Sequence, residues 1–287
     1  MTRVTPPPGT LWIVATPVGN LDDLSPRAER ALASADVIAA EDTRTSRKLL
    51  PPRDKAPRWV AFHEHNESQA VESLTSCLIA GDTVALVSDA GTPLISDPGY
   101  RLVSRAHELG IPVSPVPGPC AAIAALSVSG LPTDRFRFEG FLPARRTARQ
   151  RRIEELRAES ATLVFYVPAR DLPDVLADAA AVLGGQRPAT VARELTKQFE
   201  TVRRGSLDEL SEWASGDPDQ RRGEAVLVVG GAAEHSKASR IDASRLAREL
   251  VRELPPARAA RVLARTTDLD RRAAFELVES LKGTPCT

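Results

Sequence analysis

Five short apolar runs fall within the first 130 residues, at 11–15, 36–40, 59–62, 83–87 and 111–116. Each is too brief for a core helix and reads as a buried strand. Between them lie stretches with helical periodicity. Ser25-Pro26 opens one that runs to Ser34, with Ser25 as cap, and Asn66 opens another that runs to Ala80, with Gln69 in capping-box spacing. Further helices are read from Pro98 to Leu109 and from Gly118-Pro119 to Gly130. Strand alternating with helix dictates a mostly parallel sheet covered on both faces.

A second set of runs begins at 135–138 and continues at 162–167, 188–193 and 225–229, again with helical stretches between. The break falls near Leu131-Pro132-Thr133. From Ser239 the character changes to three short amphipathic helices, 243–253, 256–265 and 268–282. The chain therefore divides into a loose tail (1–9), an α/β domain (10–131), a second α/β domain (132–233) and a helical appendage (239–287).

Composition narrows the function classes. With 42% hydrophobic and 26% charged residues, 287 residues can bury a sizeable core. Net charge is zero, so a nucleic-acid partner requires a local basic patch. Cys77, Cys120 and Cys286 form no C-x-x-C pair, and neither a zinc site nor a disulfide framework is indicated. No apolar stretch is long enough to span a membrane, and no leader pattern opens the chain, so a cytoplasmic setting is expected. The dinucleotide, nucleoside-triphosphate, zinc-protease and esterase signatures are all absent.

Chemistry concentrates at strand ends. After the run at 83–87 the chain reads Ser88-Asp89-Ala90-Gly91-Thr92-Pro93-Leu94-Ile95-Ser96-Asp97-Pro98-Gly99-Tyr100. A loop this rich in turn formers, at the carboxyl end of a strand, carries backbone groups that a ligand can satisfy. Asp97-Pro98 suits a helix N-cap and first position. Thr16-Pro17-Val18-Gly19-Asn20 is either an ordinary turn or a loop that lets a ligand approach Gly19. Ala40-Glu41-Asp42-Thr43-Arg44 offers either a helix cap or acids for a ribose or a proton. His63 and His65 lack a third metal ligand, so a substrate-facing loop is preferred to a metal site. Pro117-Gly118-Pro119-Cys120-Ala121 either packs helix on sheet or presents free N–H groups. Lys197, after Arg193-Glu194-Leu195-Thr196, is a phosphate contact, a general base if burial lowers its pKa, or a surface lysine. Arg145, Arg146, Arg149, Arg151 and Arg152 form either a solvated helix face or a phosphate-binding patch.

Taken in order, these loops resemble those of the tetrapyrrole-methylase-like (class III) S-adenosylmethionine methyltransferases, and among them the branch acting on small-subunit ribosomal RNA. The motifs are Thr16 to Leu21, Ala40 to Arg44, His63 to Glu67, Ser88 to Tyr100, Pro117 to Ala121, Glu139 to Pro143, Ala192 to Lys197 and Gly223-Glu224. One departure follows Phe165-Tyr166, where the family carries Glu-Ser-Pro-His-Arg and this chain reads Val167-Pro168-Ala169-Arg170-Asp171.

The resemblance implies two α/β domains with S-adenosylmethionine in the cleft between them, and a homodimer. It implies 2′-O-methylation of a cytidine in the decoding region of 16S ribosomal RNA. The implied cofactor residues are Pro17, Gly19, Ser88, Asp89, Ala90, Gly91, Thr92, Ile95, Ser96, Asp97, Pro119, Cys120 and Ala121, closed from the second domain by Leu195 and Glu224. For catalysis, Glu41 or Asp42 is the candidate base or ribose anchor, and Arg44 and Lys197 are the electrostatic stabilisers, with His63 and Glu67 in reserve. The arginine run would meet RNA phosphates. Two rivals use the same scaffold: methylation of a tetrapyrrole or other small molecule, and a non-catalytic ribosome-binding module.

Overall fold

The computed structural model describes residues 7–49, 56–232, 243–267 and 269–281. The first sheet comprises β1 (Leu11–Val14), β2 (Val37–Ala40), β3 (Arg58–Ala61), β4 (Val84–Val87) and β5 (Val113–Val116). All its pairings are parallel, in the order β3-β2-β4-β1-β5. Alternate residues of the apolar runs feed opposite layers. Leu11, Val37, Ala39, Val84 and Leu86 join helices Glu67–Ile79 and Tyr100–Glu108. Trp12, Val14, Ile38, Ala40, Ala85 and Val87 join helix Pro26–Ser34. Continuous apolarity in these strands is thus a period of two with both faces covered.

The second sheet comprises β6 (Phe136–Phe141), β7 (Thr162–Pro168), β8 (Pro188–Arg193), β9 (Thr201–Ser206) and β10 (Glu224–Val229), in the order β6-β7-β10-β8-β9. It is mixed: β6 and β7 are parallel, and the other pairs antiparallel. One face packs on helices Arg146–Glu155, Leu172–Leu183 and Leu207–Gly216. On the other, Val164, Ala192, Val226 and Val228 receive Ala122, Ala125 and Leu126 of helix Ala121–Val128. That helix leaves β5 of the first sheet, so its packing holds the two sheets within one compact unit, residues 1–232.

Several local expectations are corrected. β9 was not anticipated: Thr201-Val202-Arg203-Arg204 shows no alternation, because this is an edge strand with exposed residues 202–204. Ser25 caps its helix as expected, accepting the Ala28 N–H at 3.0 Å. Asn66 makes no such bond; its side chain turns back to the His63 N–H and Ala61 O. Asp97 is not an N-cap, since the helix starts at Tyr100 behind Gly99, whose φ of +136° suits glycine alone.

The second unit, residues 233–287, has its own core. Helices Ala243–Glu253, Pro256–Thr266 and Arg271–Ser280 enclose Ala247, Ala259, Leu263, Ala274 and Val278. Residues 268 and 282, Cys286 and most of the expected tail lie outside the described residues. Among the described residues, no helix is long and apolar enough to cross a membrane.

Candidate active site

The first wall is built from loops at the carboxyl ends of β1, β2, β4 and β5. Thr16 and Gly91 exchange backbone hydrogen bonds of 2.8 and 3.0 Å, and the Thr92 hydroxyl donates to Pro119 O at 2.8 Å. Buried Ser88 and Thr16 direct their hydroxyls to carbonyls of the same loop. The lacing forces Leu94 and Ser96 into left-handed backbone, at φ of 72° and 69°. Glu67 fastens the end of the loop, accepting the Gly99 N–H at 3.2 Å.

The opposite wall comes from the second sheet. Glu194 and Thr196, after β8, also sit at positive φ, 51° and 63°. Among the described residues these four are the only non-glycines there, and they occupy just two loops. Strain of this kind persists only where surroundings enforce it, and it clusters at functional sites. Lys197 Nζ donates to Glu194 Oε1 at 2.9 Å and to Glu224 Oε2 at 3.4 Å, while the Glu224 N–H donates to Glu194 Oε1 at 3.0 Å. Gly223 leaves room for that carboxylate, which occupies the place a side chain would take.

Between the walls lies a cavity of about 550 Å³. From the first wall it is lined by Glu41, Asp89, Ala90, Gly91, Thr92, Ile95, Ser96, Asp97 and Ala121, and from the second by Leu195, Lys197 and Glu224, all expected from the sequence. Partial burial raises the Glu41 carboxyl from its ordinary pKa, and nearby Asp89 and Glu64 add to the effect. Burial likewise raises Asp97 to about 6, with Glu41 and Asp89 contributing. For Lys197 burial opposes the charge, but Glu194 and Glu224 outweigh it, and the ammonium is held above its ordinary pKa. That direction favours a fixed cation over a general base.

Other expected residues stand elsewhere. Pro17, Gly19, Ser88, Pro119 and Cys120 do not line the cavity. Ser88 and Pro119 lace the wall, and Cys120 precedes helix Ala121–Val128 without a side-chain cap bond. Gly19 is approached by the chain itself, because Leu195, Thr196 and Lys197 fill the space beside it. Asp42 takes the helix-cap alternative. It accepts the Arg44 N–H at 2.8 Å and both arms of the Arg44 guanidinium, and these bonds hold its carboxyl down at about 2. Arg44, exposed and tied to Asp42, is likewise outside the cavity. His63 Nδ1 is buried without a partner, and among the described residues no cluster suits a metal ion.

The arginine run divides. Arg149 is buried and pairs with Asp178 at 2.7 Å, so its guanidinium is closed to phosphate. Arg146 and Gln150 share the same carboxylate. Arg152 bonds Glu139 and Glu155. Arg145 and Arg151 remain on the surface.

Sequence reasoning missed Glu194, Tyr166, Phe141, Arg170 and Gly223, all of which line the cavity. Tyr166 stacks edge-on against Phe138 and Phe141 and accepts the Ala122 N–H at 3.3 Å. In a chain with 4% aromatics, three rings gathered at the ends of β6 and β7 were the available signal.

The fold and the cavity define a methyltransferase of a known class. A family model described as Tetrapyrrole (Corrin/Porphyrin) Methylases matches residues 10–211. Solved structures share the fold: a uroporphyrin-III C-methyltransferase from Thermus thermophilus (TM-score 0.56, 22% identity, covering 78% of this chain and 95% of that one) and the methyltransferase CobJ (TM-score 0.60, 19% identity, covering 78% and 95%). The chain belongs to the tetrapyrrole methylase family, and within it to the group called ribosomal RNA small subunit methyltransferase I. Proteins of that name from Xylella fastidiosa Temecula1 and Pseudomonas aeruginosa are 50% and 48% identical, over 93% and 96% of this chain and 98% of each relative. One from Escherichia coli O157:H7 is 46% identical, over 96% of both chains.

Proposed function

We propose that this protein transfers a methyl group from S-adenosylmethionine to the 2′-oxygen of a cytidine ribose in the decoding region of 16S ribosomal RNA, acting as a cytoplasmic homodimer on the small subunit. The observation that carries the choice of RNA is length. The relatives named for small-subunit RNA match over 93% of the chain or more, whereas the solved porphyrin methyltransferase covers 78% of it while using 95% of itself.

The cavity suits the cofactor on chemical grounds. Its volume falls in the range of small-molecule sites. Three carboxylates, Glu41, Asp89 and Asp97, favour a cationic ligand and offer acceptors to ribose hydroxyls. Ile95, Ala121, Tyr166 and Leu195 offer an apolar bed to a purine. Ala90, Gly91 and Thr92 border the same space. When bound, S-adenosylmethionine supplies an activated methyl that needs no further electrophilic help.

The protein's own work is then positioning and one proton transfer. In this reading Glu41 receives the proton from the ribose hydroxyl. Its raised pKa brings it nearer neutrality, which suits a base at working pH. Lys197, held cationic by Glu194 and Glu224, faces the cavity from the second sheet and stabilises the developing oxyanion.

The test uses the full chain, purified small ribosomal subunits and S-adenosylmethionine labelled in its methyl. A methylated 2′-oxygen blocks alkaline cleavage of the next phosphodiester bond. Label is therefore expected in an alkali-resistant dinucleotide. Label confined to mononucleotides, or transfer only to a porphyrin precursor, would overturn the reading.

A further inference from the structure

The cavity opens beside a surface that the arginine run does not explain. Its organiser is Arg193, the last residue of β8 and itself buried. Its guanidinium donates to Gln220 Oε1 at 3.0 Å, Arg222 O at 3.1 Å, Phe199 O at 3.2 Å and Thr201 Oγ1 at 3.2 Å. One side chain therefore pins the entry to β9, at 199–201, and the short helical turn ending at 220–222 to each other. A third segment joins them, since the Ala169 N–H donates to Gly223 O at 3.0 Å. Ala169 leads into Arg170 and Gly223 follows Arg222, and both Arg170 and Gly223 line the cavity.

These segments present an aromatic ring and arginines outward. Phe199 is 68% exposed, in a protein of few aromatics. The segments joined to it through Arg193 and the Ala169–Gly223 bond carry Arg170, Arg221 and Arg222, all on the surface. Their acidic neighbours hold them weakly. Arg170 lies 3.8 Å from Asp171, and Arg222 lies 3.2 Å from Asp219 with both side chains exposed. Exposed pairs of this kind are worth little and yield to a better anion. An exposed ring among arginines is the chemistry of single-stranded nucleic acid: bases stack on the ring and phosphates meet the guanidinium groups. A buried arginine fixing the backbone beneath both makes the surface pre-organised.

We propose that Phe199, Arg170, Arg221 and Arg222 form a docking track for single-stranded RNA, which delivers the target nucleotide into the adjoining cavity. The inference rests on the RNA-methyltransferase reading for its destination, but the track itself is tested by binding. The probe is a fluorescently labelled single-stranded oligoribonucleotide, measured by anisotropy over a salt series with the full-length protein. Phe199→Ala is expected to weaken binding by roughly five- to a hundredfold, and Phe199→Trp to restore it. Arg170→Ala, Arg221→Ala and Arg222→Ala together are expected to flatten the logarithmic salt slope by about two. Phe199→Ala and the Arg221→Ala/Arg222→Ala variant keep the wild-type affinity for S-adenosylmethionine by calorimetry.

Wild-type affinity and salt slope in these variants would overturn the track, as would equal binding of a fully paired duplex. Oligonucleotide binding that depends on the four residues, in a protein that transfers no methyl to small subunits, would support the track and sink the proposed function instead.

Discussion

Gly19 and Lys197 pack with no room for a side chain between them: a Cβ on Gly19 would fall on Lys197 Cγ and lie 2.8 Å from both Leu195 O and Thr196 Oγ1. The loop after β1 thus abuts the loop after β8, and the two walls of the cavity are fixed to one another through a missing methyl. Gly19→Ala must force them apart. Overpacking of this kind costs about 1–3 kcal/mol. The expected result is a lower melting temperature and at least a tenfold loss of S-adenosylmethionine affinity by calorimetry. Gly216→Ala, where no atom lies within 4 Å of the new methyl, is expected to leave that affinity intact.

Asp97 makes stability depend on pH with a definite sign. Its folded pKa of about 6 stands above the ordinary 3.8, so the fold prefers the protonated form. The destabilisation is absent below 3.8, grows between 3.8 and 6, and is complete above 6. Asp97→Asn is therefore expected to raise the melting temperature above pH 6, with the gain shrinking as pH falls toward 3.8. A gain that is the same at both ends of the window would contradict the assignment.

Glu41 carries the proton transfer in this account. Glu41→Gln is expected to lower kcat by about 10²–10⁴ while small-subunit KM stays within severalfold. In the wild type the rate falls as pH drops through the raised Glu41 pKa. In Glu41→Gln that acidic limb disappears, which single-turnover rates over a pH series would read.

In the proposed mechanism Lys197 acts as a charge. Lys197→Met is expected to reduce kcat by roughly a hundredfold. Lys197→Arg should recover part of the loss, because a guanidinium can still reach Glu194 and Glu224. Full activity in Lys197→Met would remove the residue from the mechanism.

Arg149 is a structural residue despite its place in a basic run. Arg149→Ala removes the one buried donor of the three that hold Asp178 and leaves Arg146 and Gln150 on the carboxylate. Losing hydrogen bonds to a charged group costs roughly 1.5–3 kcal/mol, to be seen in urea unfolding. The salt dependence of RNA binding should not move.

These predictions fall where local sequence and tertiary structure part company. The strands of the first sheet were legible because a run such as Val84-Ala85-Leu86-Val87, covered on both faces, has to be apolar throughout. β9 was not, since an edge strand tolerates Arg203 and Arg204 and carries no pattern. The loop after β4 announced itself by its turn formers. The matching strain at Glu194 and Thr196 did not, because nothing in Glu-Leu-Thr-Lys signals positive φ. Asp42 and Arg149 looked like chemistry and are scaffold: a cap and an ion pair satisfy them within the chain. Gly19 does permit a close approach, but what approaches is a loop from the other sheet. Arg193 gave no hint of its role, which exists only once three loops meet around it.

The central claim is the destination of the methyl group. Mass-spectrometric mapping of small-subunit ribosomal RNA, from cells with and without this protein, tests it most directly. The account predicts one 2′-O-methylcytidine in the decoding region that is present with the protein, absent without it, and not restored by Glu41→Gln. An unchanged methylation map, or a lost methyl that lies on a base rather than a ribose, would contradict it.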